Sequence, residues 1–226
     1  MTIAFQASAA AEATTVTLPS HQAGDLLLMV SYKSTNNPAT IPSGWFSCAN
    51  ANFNGIAGNT QIAFKIATSN SETSGTWIGA EFLVCAVYRP TANYHYATIA
   101  PLNRVTSSVQ VNLTQKSANS GVNSGAAVNL QAASSVVVGV ITTNDRTALI
   151  NGTRTALTLR ADHQGTSSNR ITIYDTGSAV SAFAFNSVSL GSAITSVNGT
   201  IELLDSGIAI ASAGKPTSPF NQQVIA

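Results

Sequence analysis

The residues able to do chemistry are few and scattered. His21, His95 and His163 stand far apart, and Cys48 and Cys85 form no CxxC spacing. No HxH or HExxH arrangement supplies a ready set of metal ligands, so neither metal nor cofactor is expected. Serine is abundant, yet no GxSxG elbow places one as a nucleophile. Glu72, Glu81, Asp162, Asp175, Glu202 and Asp205 are the acids a sandwich glycosidase would recruit in pairs. They lie mostly where apolar runs end or turns begin, and there capping and solvation use them. The loops "NDR" (Asn144–Arg146) and "ADHQ" (Ala161–Gln164) could touch a ligand but read as turns, and no DxDxDG spacing offers a calcium loop. The expectation is a protein with no catalytic residue.

Composition points the same way. Charged residues make up 8% of 226, with ten basic and nine acidic side chains, against about 25% in ordinary soluble domains. Phosphate neutralisation needs clustered Lys and Arg, and these stand singly, so neither nucleic acid nor an anionic membrane is an expected partner. Apolar runs stop at about six or seven residues, far short of the ~20 that span a bilayer. The first fifteen residues lack a basic n-region and a long apolar core, so no signal peptide is expected. The two cysteines read as reduced, small core hydrophobes. A surface of Ser, Thr, Asn, Gln and Ala has weak electrostatic protection against association, which suits life inside a dense assembly, although bland secreted β-proteins share it.

The elements that must hold these residues show a period of two. "TTVTL" (14–18), "QIAFKIATS" (61–69), "SVQVNLTQ" (108–115), "AAVNLQ" (126–131), "TALTLRAD" (155–162), "NRITIYD" (169–175), "AFAFN" (182–186) and "GTIELLD" (199–205) alternate apolar and polar residues, the mark of half-buried antiparallel strands. Leu26–Val30, Phe82–Tyr88 and Val136–Ile141 are apolar throughout and read as central strands covered on both faces. Gly24-Asp25, Pro42-Ser43-Gly44 and Asn54-Gly55 mark turns, and Asn151-Gly152 and Asn198-Gly199 mark hairpins. Amphipathic helix patterns are absent. The expected fold is all-β: an antiparallel sandwich of about ten strands spanning residues 1–206. Residues 91–124 form an excursion with one hairpin strand, and residues 207–226 an extended arm.

Two surfaces stand out. "NYHY" puts Tyr94, His95 and Tyr96 in one polar-tipped aromatic cluster. Such a cluster suits packing on its own sandwich, a subunit contact or sugar stacking. The arm carries Pro216, Pro219 and Phe220; proline cannot donate in a ladder, so the segment reads as laid over a surface, its own or a neighbour's. The Asn-x-Thr sites at Asn112, Asn151 and Asn198 read as chance.

Four motifs occur in order: Gly24-Asp25-Leu26-Leu27-Leu28; Pro42-Ser43-Gly44-Trp45; Phe64-Lys65-Ile66-Ala67 with Glu72 and Trp77; and Tyr88-Arg89. This series, over residues 21 to 91, resembles structural proteins of tailed bacteriophages, with looser likeness at Val136–Ile141 and "RITIYDT". The resemblance implies a jelly-roll-like β-sandwich in the virion, synthesised in the host cytoplasm. Its expected role is a capsid decoration or cement subunit, a homotrimer contacting the major capsid protein. The alternative is a tail or fibre module that binds host-surface glycan through "NYHY". Beside it stands a physical reading: Trp45 and Trp77 anchor the sheet ends, Lys65 and Glu72 pair across a hairpin, and Arg89 bonds loop carbonyls or a carboxylate. The excursion after Arg89 and the apolar tail lie outside the resemblance.

Overall fold

The computed structural model of the chain describes residues 3–53, 56–90, 95–99, 111–116, 122–123, 136–144, 157–166, 169–180, 188–189 and 195–209. Among these every regular element is a strand: β1 (Ile3–Ala11), β2 (Leu26–Lys33), β3 (Phe46–Asn52), β4 (Asn59–Ile66), β5 (Phe82–Pro90), β6 (His95–Ile99), β7 (Val111–Lys116), β8 (Val122–Asn123), β9 (Val136–Thr143), β10 (Thr158–Gln164), β11 (Arg170–Asp175), β12 (Val188–Ser189) and β13 (Ser196–Ala209). The fold is an all-β sandwich of antiparallel sheets. The first sheet runs β1-β5-β2-β4-β3. The second has the four-strand body β10-β11-β9-β13, and β7 and then β6 pair in succession along the outer side of β13. The two-residue strands β8 and β12 pair with each other. The chain completes the first sheet before it starts the second, a simpler winding than the alternating one of a jelly roll.

Alternation explains how the sheets meet. Leu26, Leu28, Val30, Ile62, Phe64, Val84, Ala86 and Tyr88 from the first sheet pack on Val136, Val138, Val140, Ile171, Ile173, Val197, Ile201 and Leu203 from the second. Residues of opposite parity on the first sheet, Leu27, Met29, Ala63, Leu83, Cys85 and Val87, face away from that core. A layer of loops covers them with Val16, Ala39, Trp45, Ala67, Trp77 and Ala80. The centre of the first sheet is therefore buried on both faces, which is why Leu26–Val30 of β2 and Phe82–Tyr88 of β5 are apolar throughout. All three continuous runs are central: β2 lies between β5 and β4, β5 between β1 and β2, and β9 between β11 and β13. Cys48 packs toward the inter-sheet core and Cys85 toward the loop layer, so the sheet itself separates the two free thiols.

Edges β1 and β10 close one flank through side chains. The Arg160 guanidinium lies over the Phe5 ring at 5.6 Å, Ser8 Oγ meets His163 Nε2 at 3.2 Å, and Glu12 accepts from the amide and hydroxyl of Thr166.

Several expected elements differ. Residues 14–18 carry no ladder: Val16 is buried in the loop layer while Thr15 and Thr17 stay exposed. Their alternation reflects packing on a sheet rather than membership of one. Asn198-Gly199, expected as a hairpin turn, lies inside β13, with Asn198 opposite Ile141 and Gly199 opposite Val140 and Leu113. Pairing on both sides of a fourteen-residue strand outweighs the local turn preference. Within 91–124, β6 and β7 join the second sheet, and β13 continues through residues 207–209 of the expected arm. The "AAVNLQ" and "AFAFN" segments, Asn54-Gly55 and Asn151-Gly152 lie outside the described residues.

Candidate functional site

The motif residues converge at one end of the first sheet, beneath the loop layer. The Gly24-Asp25 turn enters β2 with Gly24 at φ 90°, a conformation that favours glycine. Its frame is reciprocal: the Asp25 amide donates to Gln22 O (3.1 Å) and the Gln22 amide to Asp25 Oδ2 (2.8 Å). Asp25 is fully buried. Arg89, leaving β5, meets it as a fork, Nε to Oδ1 at 2.8 Å and Nη2 to Oδ2 at 2.7 Å. These bonds favour the charged guanidinium more than burial disfavours it.

A second ion pair sits beyond β4. Lys65 Nζ lies 2.5 Å from Glu72 Oε2, and Glu72 Oε1 accepts from the amide (2.8 Å) and hydroxyl (2.6 Å) of Thr68. Burial alone would raise the Glu72 carboxyl, but the bonds from Lys65 and Thr68 prevail and hold it down at about 2. His21, buried, has both ring nitrogens engaged. A carbonyl only accepts, so Nδ1 must donate to Pro19 O (2.6 Å), which leaves Nε2 to accept the Glu72 amide (3.2 Å). The imidazole serves as a neutral brace between two loops.

Trp45 and Trp77 lie edge-to-face, with centroids 5.4 Å apart and planes at 71°. Trp77 is wholly buried and donates Nε1–H to Ser74 O (3.0 Å) and its amide to Thr14 O (2.7 Å). Trp45 follows the Pro42–Gly44 turn, closed by its amide on Pro42 O (3.3 Å) with Gly44 at φ 86°. The pair thus pins the loop layer to the outer face of the first sheet. Between the segments these residues hold lies a groove of about 720 Å³, lined by Thr15–His21, Asn70 and Glu72–Thr76. Its lining is hydroxyl-rich, and its ionisable residues, His21 and Glu72, are both engaged.

A further polar group lies between the sheets. Asp175, buried, accepts from Arg160 Nε (2.8 Å) and the Gly177 amide (2.7 Å). Burial pushes the nearby Tyr88 hydroxyl well up, and the Asp175 charge adds to it. On the other face of the second sheet Asp162 accepts from Arg170 Nε (2.6 Å) and the Thr172 hydroxyl (3.2 Å). Glu81 accepts from the Ser34 amide and hydroxyl. Among the described residues no three His, Cys, Asp or Glu side chains gather as a metal site.

No protein-family model matches the sequence, and no curated protein and no solved structure matches it either.

The structure joins Asp25 to Arg89, Lys65 to Glu72 and Trp45 to Trp77. Of the aromatic cluster, His95 and Tyr96 belong to β6, where only the backbone is described, and Tyr94 lies outside the described residues, as do Pro216, Pro219 and Phe220. Sequence reasoning missed the His21 brace and the contact between Ser8 and His163. Neither has a local signal, because 51 and 155 residues separate the partners.

Proposed function

We propose that this chain is a structural protein of a tailed-bacteriophage virion, a capsid decoration or cement subunit that contacts the major capsid protein and copies of itself. One observation carries the reading: the four motifs behind the phage resemblance form a single unit of ion pairs, turns and packed rings. Asp25 and Arg89 fix the entry to β2 and the exit from β5, Lys65 and Glu72 fix the turn after β4, and Trp45 and Trp77 clamp the loop layer. Their ionisable groups spend their bonding capacity on turns, leaving contact area as what the surface offers. A contact of ~1,600 Å² repeated over a shell strengthens a head by avidity without chemistry.

The test is decoration of particles by the full chain and by a chain ending at Ala209. Full occupancy by the first and reduced occupancy by the second support the reading. The tail-module reading is separated by replacing Tyr94 and Tyr96 with Ala. Lost adsorption to cells with intact heads favours a glycan reader, and unchanged adsorption with leaky heads favours cement.

A further inference from the structure

We propose that Ser8 and His163 form an acid-sensitive clasp where the edges of the two sheets meet, and that a proton on the imidazole releases β1 while the rest of the sandwich stays folded. Such a clasp works in any setting and does not depend on the virion reading.

Three side-chain links follow one another along this flank: Phe5 under the Arg160 guanidinium, Ser8 Oγ on His163 Nε2 at 3.2 Å, and Glu12 on Thr166. The middle link holds the one group of the three that titrates near neutral pH. A neutral ring can accept the Ser8 hydroxyl at Nε2. A protonated ring donates from both nitrogens, so the hydroxyl must turn its own proton elsewhere and a charge is left half-buried between the strands. The carboxylates around it already serve other donors: Asp162 holds Arg170, Asp175 holds Arg160, and Glu12 accepts from Thr166. Arg160 and Arg170 add positive charge on β10 and β11. On β5, behind β1, the charged residue is Arg89, which Asp25 holds. Burial lowers the imidazole from 6.5 by more than the Asp162 charge raises it. The opened flank, with the ring solvated, therefore binds the proton better than the closed one, and acid favours opening.

The give is on the β1 side. β10 is tied to β11 by its ladder and by two ion pairs, Arg160–Asp175 and Asp162–Arg170. β1 is an end strand of the first sheet. Five of its nine residues are alanine, only Ile3 is buried, and its ladder to β5 shifts register between Phe5 and Ala7. So little apolar burial places it among the elements that open before the whole fold does. The largest contact it gives up is the edge-to-face packing of Phe5 on Tyr88, centroids 5.7 Å apart.

The test is amide hydrogen exchange of the full chain at about pH 7.5 and about pH 5.5, with and without dilute urea, corrected for intrinsic exchange. Amides of β1 are expected to exchange through an opening with a weaker urea dependence than those of β2 and β4. The population of that opening should rise at least twofold at the lower pH. His163→Gln should abolish the rise, which separates His163 from His21, His95 and the amino terminus; His163→Asn serves if the glutamine variant does not fold. Exchange of β1 with the urea dependence of β2 and β4, a rise below twofold, or a rise that survives in the variant overturns the proposal. Decoration of particles is read separately, so the clasp and the virion reading fail independently.

Discussion

Replacing Arg89 with Met leaves the Asp25 carboxylate buried and short of two charge-assisted bonds, with the Gln22 amide still donating to it. Breaking a buried pair from one side costs about 3–5 kcal/mol. Arg89 keeps 31% of its side-chain surface exposed while Asp25 keeps 1%. Water can therefore enter beside the lost guanidinium, and the low end, about 3 kcal/mol, is expected. For a chain of this length that lowers Tm by about 6–12 °C. The double variant Asp25→Asn/Arg89→Met removes the orphaned charge and keeps an acceptor for Gln22, so it should recover at least about 1 kcal/mol over Arg89→Met alone. Urea unfolding with a tryptophan signal, checked by calorimetry, measures both. An Arg89→Met protein within about 0.5 kcal/mol of the parent, or a double variant worse than the single, would refute the claim that Asp25 depends on its partner.

Other consequences are open to direct measurement. Glu72 is depressed from 4.5 to about 2, so its contribution is complete above pH 4.5 and drains away as pH falls toward 2; Glu72→Gln should flatten that part of a stability–pH curve. His163 is lowered from 6.5, burial outweighing the attraction of Asp162, so the fold favours its neutral form and loses stability as pH drops below 6.5. His163→Gln should remove that loss in the same titration. Trp77→Ala should cost about 3–5 kcal/mol and abolish the near-ultraviolet dichroism of the Trp45–Trp77 pair, with Trp77→Phe milder. Burial raises both cysteine thiols, and Cys85 is wholly buried while Cys48 is half-buried, so an aromatic disulfide reagent should leave Cys85 unlabelled and label Cys48 slowly in the native protein, with both labelled in guanidinium; fast native labelling of Cys85 would contradict its placement.

Much of the architecture is legible in the sequence because burial leaves a direct trace there. β2, β5 and β9 read as central because a strand covered on both faces has no polar side, and the Gly24 and Gly44 turns announce themselves through residue type. What fails is whatever depends on distant partners. β1, "IAFQASAAA", lacks the β-branched alternation of a strand and forms one because β5 offers its edge. β3, "FSCANAN", is polar and bulged, and it is a strand because β4 holds it. Residues 14–18 alternate perfectly yet join no ladder, since packing on a sheet from outside imposes the same period. At the site, Arg89 is legible as needing a carboxylate, but that Asp25 supplies it is a fact of tertiary structure, as is the His21 brace.

On the proposed reading, the chain works by contact area as part of a particle. The most direct test is the number of copies per purified virion, counted by mass spectrometry against isotope-labelled standards. Copies in the hundreds are predicted for a head-decorating subunit. A chain missing from washed particles, or present in only a handful of copies, would contradict it.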